Sequence, residues 1–531
     1  MSRAAARIPL WLAFGLVLPL LFGAAGPGVA QAAAVVELVD KPAPLVTAAR
    51  MRDAATVAAL LAKPHADVNE RSADGTTALH WAVYNNDVDL VGKLLAAGAD
   101  AQAANDYHAT PLSEAAVVGN PQVLRKLLDA GADVSSKNAD GQSALMVIAR
   151  TSNVEAAKLL LKRGARVNEH EDWRGQTPLM WAAAEGQPPM VKLLIEHGAD
   201  VNARSRVVEW ERQVTAEPRM QARPTGGFTP LLYAARRGCA ECASLLIKAG
   251  ADVNLTDPDG VTPLLLASLN FSFDTAALLV RHGADVDRWD IWGRSPLYAA
   301  VDMNTLPISG RADRPSLDKT SGTELIQILL EAGANPNLQL KLFPPYRSLR
   351  DDRGADGLLA VGSTPLVRAA KAGDLPAMKL LLAHGANVEL PTVNGITPLM
   401  AATGNASVSL DTRGRYKTEE QAIAATQMLL AAGANINARD RQGQTALYGA
   451  AGLGWNGVVQ VLASKGIDLQ AKDARGRMAI DQTRPSATSS GRGGSGAAHP
   501  DTEALLRKLM ASNATAPSAV AVPGAAATAT P

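Results

Sequence analysis

Two residue groupings in this chain have spacings that could support chemistry. The first is Cys239-Ala240-Glu241-Cys242, a redox-type C-x-x-C pattern that holds both cysteines of the chain. It follows Gly238 directly, at the expected start of a helix. Side chains three apart on one helix have Cβ atoms about 5–6 Å apart, whereas a disulfide wants about 3.8 Å. A bond would distort the first turn. The spacing therefore favours two free thiols, with Cys242 packed inward and Cys239 at the helix start. Oxidation of Cys239 and Cys242 to a disulfide is the alternative, favoured by an oxidising compartment. No thioredoxin-like βαβ pattern and no C-x-x-C-H haem motif accompanies the pair.

The second grouping is His197, His282 and His384, side chains of a type that binds metals. Each directly precedes a glycine, so each is expected at a helix C-terminus, where a partly positive imidazole meets the negative end of the dipole. His197 and His282 lie two units of a repeat apart, on the order of 20 Å for helices packed about 8–10 Å from one another. Zinc–nitrogen bonds are about 2.1 Å long, so these two cannot share an ion. Neither a metal nor a cofactor is expected. The sequence holds no H-E-x-x-H, G-x-S-x-G or P-loop motif, so no catalytic residues are assigned. Acids gather at turn positions, where they serve the backbone.

The elements that carry these residues repeat. Segments open on Thr-Pro-Leu or a close variant at Thr77, Thr110, Ser143, Thr177, Thr229, Thr262, Ser295, Thr364, Thr397 and Thr445. In eight of the ten a glycine follows 21 residues later, from Gly98 in the first to Gly466 in the last. Ser295 and Thr397 have gaps of 38 and 36 residues, because each carries an insertion. In Thr177 to Gly198, Thr177 suits a helix N-cap and Pro178 the first helical position. Leu179, Ala182 and Ala183 fall on one face of a short helix that Gly186 ends. Met190, Val191, Leu194 and Ile195 form the apolar face of a second helix, and Gly198 supplies its left-handed terminus. Neither helix is long enough to be stable alone. Each must bury its face against the next unit, which predicts a stacked array, and such arrays are usually binding surfaces.

TPLxxAA, then G-x-x-x-x-V-x-x-LL, then GADVN and a D-x-x-G tip resembles the ankyrin repeat. The resemblance spans about residues 43–483. It implies an all-α fold: an ankyrin-repeat solenoid of stacked helix-turn-helix units with projecting hairpin loops. It further implies protein binding through the hairpin tips and inner helices, and a structural role for His80. The stretches 43–73 and 478–483 are degenerate versions of the unit and read as end caps. Residues 484–500, rich in Ser and Gly, read as a flexible linker. Residues 501–511 read as a last helix and 512–531 as a disordered tail.

The contact positions of that family lie four, three and one before the opening Thr, and seven and eight after it. On this chain they select Tyr84, Asn85, Asp106, Tyr107, Arg150, Trp173, Arg174, Phe228, Arg236, Arg237, Ile291 and Trp292. Aromatic and arginine side chains most often dominate interface energy. Tyr84, Tyr107, Arg150, Trp173, Phe228, Arg236, Arg237 and Trp292 are therefore the expected partner-binding residues, and they place the partner on the first seven repeats. The competing expectation is that Trp173, Trp289 and Trp292 pack under neighbouring hairpins. Four insertions break the rhythm: 204–226 and 340–362 between repeats, 303–323 and 404–421 between the two helices of one repeat. Long loops on a rigid scaffold are often functional, though drift at tolerated sites gives the same pattern.

Arg3 and Arg7, the apolar run Ile8 to Phe22 and Ala30-Gln31-Ala32 read together as a secretory leader, residues 1–32, cleaved near Ala32. With that leader the chain resembles exported bacterial ankyrin-repeat proteins, periplasmic or secreted. No second long apolar run follows, so no membrane insertion is expected after cleavage. With 52 basic and 51 acidic residues, the chain lacks the positive footprint that nucleic acid requires. The expected function is a non-catalytic scaffold for another protein. A cell-envelope structural protein binding wall polymer is the alternative, and an enzyme with a site borne on the 340–362 loop is a weaker one.

Overall fold

The computed structural model describes residues 43–209, 225–305, 318–342, 361–405, 417–484 and 498–514. The leader, the centres of the four insertions and the far tail lie outside the described residues.

Helices come in pairs. The first members are Ala78–Tyr84, Pro111–Val118, Ala144–Ala149, Pro178–Glu185, Pro230–Arg237, Pro263–Leu269, Pro296–Asn304, Pro365–Ala372, Pro398–Thr403 and Ala446–Leu453. Their partners are Val88–Ala96, Pro121–Asp129, Val154–Lys162, Pro188–Glu196, Ala240–Lys248, Phe273–Arg281, Gly322–Glu331, Leu375–Ala383, Glu419–Ala431 and Asn456–Ser464. Each first helix packs on the first helix of the next pair, and each second helix on the next second helix. The packing runs from each copy to its neighbour in sequence, as a one-dimensional stack requires. One continuous apolar core, from Leu45 to Leu506, threads the whole array.

The unit at Thr177 shows why the pairs form. Thr177 is extended (φ −94°, ψ 164°) and its hydroxyl accepts the Met180 N–H at 3.3 Å. Pro178 takes the first helical position, and Gly186 ends the helix with φ 68°. Leu179, Ala182 and Ala183 are buried, and so are Met190, Val191 and Leu194 in the second helix. Leu193 is buried too, whereas Ile195 is only half-buried.

His80 closes a capping box at the first unit. The Thr77 N–H donates to Nδ1 at 3.2 Å, so Nε2 carries the proton and donates to Ala109 O at 3.0 Å. The neutral ring is thus the one the fold uses. Burial, reinforced by the charge of Arg71, holds its pKa below the ordinary 6.5. A depressed folded pKa means that the unfolded chain binds the proton more readily, so stability is full above pH 6.5 and falls as pH drops below it. Amide exchange in Ala78–Tyr84 is expected to quicken, beyond the intrinsic pH effect, between pH 7.5 and 5. A His80→Gln variant keeps a capping side chain without a titrating one, and should lose that excess. An unchanged excess in the variant would assign it elsewhere.

Between the pairs the GADVN segment does more than turn. Asn202 donates from Nδ2 to Gly250 O at 3.1 Å and accepts the Asp252 N–H at 2.9 Å. Asn69, Asn168 and Asn337 make the same two bonds to the units that follow them. These asparagines form a ladder that ties each turn to the glycine just past the second helix of the next repeat.

The helix expected over residues 501–511 is present as Pro500–Ala514, and the linker expected before it lies mostly outside the described residues. This helix packs on the 3-10 helix Ala479–Thr483 and on Asn456–Ser464. Leu506 and Thr502 are buried, and the Thr502 hydroxyl donates to Asn456 Oδ1 at 2.7 Å. The two elements form a last helix pair, so the stack runs past residue 483. Arg484 and Arg507 flank Glu503 at 2.6 and 2.7 Å and push its pKa down to about 2.

Candidate functional site

The hairpin tips are tied to one another. Asp106 N donates to Asp74 O at 3.0 Å, Arg206 N to Arg174 O at 2.7 Å and Ile291 N to Asp259 O at 3.0 Å. Val393 N, Arg441 N and Ala474 N repeat the bond further along, at 2.7, 3.0 and 2.8 Å. Side chains on successive tips therefore keep a fixed register.

Within several tips an acid or amide five or six residues before the opening Thr or Ser collects backbone donors. Asn105 accepts from Tyr107 and Ala109, Asp290 from Trp292 and Arg294, and Glu171 from Trp173, Arg174 and Gln176. Asp257 does the same for Asp259 and Val261. Its burial, with Asp259 and Asp290 nearby, pushes its pKa up to about 6. These carboxylates are structural. Among the described residues no group of three or more His, Cys, Asp or Glu is placed to hold a metal ion. His197, His282 and His384 each point Nδ1 at the carbonyl four residues earlier, at 2.9 Å. They cap helix C-termini, each on its own helix.

On this frame the expected contact side chains divide. Tyr107 and Trp173 stand out at the tips with 62% and 68% of their surface exposed. Arg174 lies over the Trp173 ring at 4.4 Å. Tyr84 is exposed at the end of its helix, edge-on to Trp81. Arg236 and Arg237 are exposed, and Arg236 also faces the rings of Phe228 and Tyr233 at 5.4 and 5.1 Å. Phe228 is half-buried. Arg150 is exposed but engaged, over the Trp181 ring at 4.7 Å and 3.8 Å from Glu185. Asn85 is spent on the fold, donating to Ala49 O at 3.0 Å.

Trp292 is a correction. It is 7% exposed, because residues after the next repeat cross its tip: the Lys341 and Leu342 N–H groups donate to Trp292 O at 2.8 and 3.1 Å. Arg294 covers its ring at 4.7 Å. The Lys341 bond repeats the tip-to-tip bond of other units, and Leu342 adds a second to the same carbonyl.

The cysteine pair is a second correction. Cys239 and Cys242 are joined as a disulfide, with Cα atoms 5.2 Å apart. Helical spacing keeps two Cβ atoms too far apart only when both residues have helical backbone. Cys239 is in fact the N-cap of Ala240–Lys248, with φ −87° and ψ 85°, so its side chain turns back over the first turn. Its sulfur also accepts the Cys242 N–H at 3.2 Å. The bond sits where a capping box would form. The sequence signal was available, since Cys239 follows a helix-ending glycine.

The insertions begin from ordered bases. Val207–Val208 pairs antiparallel with Thr225–Gly226, a two-residue ribbon at the foot of the 204–226 insertion. At the foot of 340–362 a cleft of about 550 Å³ is lined by Trp289, Gly293, Gln339, Lys341 and Gly362 among others. Lys341 Nζ lies 3.2 Å from the centre of the Trp289 ring. None of the lining residues is an acid or a histidine.

Sequence comparison agrees with this architecture. A family profile described as ankyrin repeats (3 copies) matches residues 17–105, 45–138, 112–205, 231–309 and 319–410, together well over half of the chain. A second, described as ankyrin repeats (many copies), matches residues 179–247. The chain belongs to the ankyrin-repeat family. A crystal structure of the ankyrin repeat domain of Bcl-3, described as a unique member of the IkappaB protein family, is similar at 29% identity. The match covers 43% of this chain and 95% of that one, with a TM-score of 0.36.

One row of side chains lies outside the contact positions of the ankyrin unit. The fourth residue after each opening Thr lies on the first helix: Trp81, Glu114, Val147, Trp181 and Tyr233 in the first five units. Trp81, Val147 and Trp181 are half-buried and pack on the core. The consensus tolerates any residue there, so no pattern flags it. Among the described residues no helix is long and apolar enough to cross a membrane.

Proposed function

We propose that this ankyrin stack is an exported, non-catalytic scaffold that binds another protein through the tips and first helices of its first seven units. One observation carries the reading: Tyr107 and Trp173 project from tips that are hydrogen-bonded to their neighbours. Large aromatic side chains held open to water on a rigid frame serve recognition better than stability. Holding them in register also lowers the ordering cost of association. Export rests on the leader at residues 1–32 and puts the partner in the periplasm or outside the cell.

The test is capture from an envelope fraction by the full mature chain. A variant carrying Tyr107→Ala, Trp173→Ala and Arg237→Ala together is expected to lose the captured protein, since residues of these types at interface centres each cost about 2 kcal/mol or more on truncation. All three side chains are exposed, so the fold should survive, which the helical circular dichroism checks. Equal capture by the variant would end the reading, and recovery of only wall polymer would favour the structural alternative.

A further inference from the structure

The half-buried row of first-helix residues holds one charge without a counter-ion. Glu114 occupies the position taken by Trp81 one unit earlier and Val147 one unit later. It lies between two apolar positions of the stack, and its helix Pro111–Val118 packs on both neighbouring first helices. Among the described residues it has neither an ion pair nor a hydrogen bond to its carboxylate. The arginines on the same face are directed elsewhere. Arg50 lies over Trp81 at 5.8 Å, and Arg150 is shared between Trp181 and Glu185. The Glu114 oxygens are not among the sealed, unpartnered atoms of the core, so they open to the surface.

Such a group is unusual on energetic grounds. A partly desolvated carboxylate is costly unless a cation or donors compensate it. Burial alone raises the Glu114 pKa above its ordinary value, with no opposing partner. Its place in the first turn of a helix suits an acid, but dipole stabilisation requires no burial. Apolar or aromatic residues fill the same position in the neighbouring units, and one there would spare the cost.

Resting on the protein-binding reading above, we propose that Glu114 is the receptor for a basic side chain, Lys or Arg, of the partner. The partner's cation enters the first-helix face between Trp81 and Val147 and meets the carboxylate. In that partly dry setting the attraction is stronger than between two groups in open water. The half-buried Trp81 and Val147 provide apolar walls for the methylene stem of the arriving side chain. The recognised element is thus a segment with a base at its centre, with the tips carrying Tyr107 and Trp173 gripping its flanks.

The experiment uses phage-displayed random peptides selected on the full mature chain. Peptides retained by the wild type are expected to carry Lys or Arg in excess over the library. The best of them should bind Glu114→Gln about tenfold more weakly. The same loss should follow when its base is replaced by norleucine. Combining the two changes should cost no more than either alone, the signature of a direct pair. Glu114→Lys should turn the selection toward Asp and Glu. Additive losses, equal binding to Glu114→Gln, or no enrichment of bases would each overturn the proposal. If peptides depended on Tyr107, Trp173 and Arg237 but ignored Glu114, the protein-binding reading would stand and this inference would fall. If no peptide depended on either set, both would fall.

Discussion

An Asp302→Ala variant should lose about 3–5 kcal/mol of stability, concentrated where the seventh and eighth units meet. Asp302 lies near the end of the helix Pro296–Asn304 and is fully buried. Its Oδ1 stands 2.5 Å from Nε of Arg368, on the next first helix, and Arg368 is 2% exposed. The pair therefore bridges two helices separated by 60 or more residues of sequence, across the 340–362 insertion. Removing Asp302 takes from the buried Arg368 guanidinium the carboxylate that meets its Nε, and weakening a buried charge in this way costs far more than the pair contributes. Replacing both, as Asp302→Leu with Arg368→Met, removes the buried charge and should recover most of the loss. Global denaturation is a blunt probe of a repeat array, whose cooperativity can break between units. Amide exchange in Pro296–Asn304 and Pro365–Ala372, compared with Pro178–Glu185, reads the effect locally. A single variant within about 0.5 kcal/mol of wild type, or a double variant worse than either single, would refute the account.

Gly449→Ala should destabilise, against the usual sign. In an exposed helix interior the change gains about 1 kcal/mol. Gly449 sits in the helix Ala446–Leu453 at the position that holds Trp81, Glu114 and Trp181 in earlier units. Here the preceding unit has moved in. Asn405 donates to Thr445 O at 2.9 Å and accepts the Gly449 N–H at 3.1 Å. A Cβ on Gly449 would run into the Asn405 amide nitrogen, with the Gly404 carbonyl carbon 2.6 Å away. Backbone cannot swing aside as a long side chain can, so overpacking of about 1–3 kcal/mol is expected. Gly452, on the same helix, has only Gln482 Cβ at 3.8 Å and serves as the control. Alanine there should be neutral or stabilising. If both variants raised the urea midpoint alike, the close approach of Asn405 would be disproved.

Local signals and distant ones explain which expectations survived. Thr177, Pro178 and Gly186 act on atoms within a few residues, so the helix boundaries were legible from their types alone. The apolar spacing fixed which faces meet, because a short amphipathic helix has only one way to hide its face. The exposed state of Tyr107 and Trp173 followed from the same register. Trp292 obeyed the register too and yet is covered, since Lys341 and Leu342 lie across its tip and Arg294 over its ring. The bond between Cys239 and Cys242 turned on one backbone angle at a helix cap.

The order of helices, their caps and the array they build are written in the chain itself, because each unit repeats one local solution and neighbours in sequence are neighbours in space. The pairings across insertions are not. Arg368 found Asp302, Asn405 found Gly449, and Glu114 has no cation beside it among the described residues, because burial and charge compensation depend on what the next unit brings. Those are properties of distance in the folded stack, and no spacing along the sequence encodes them.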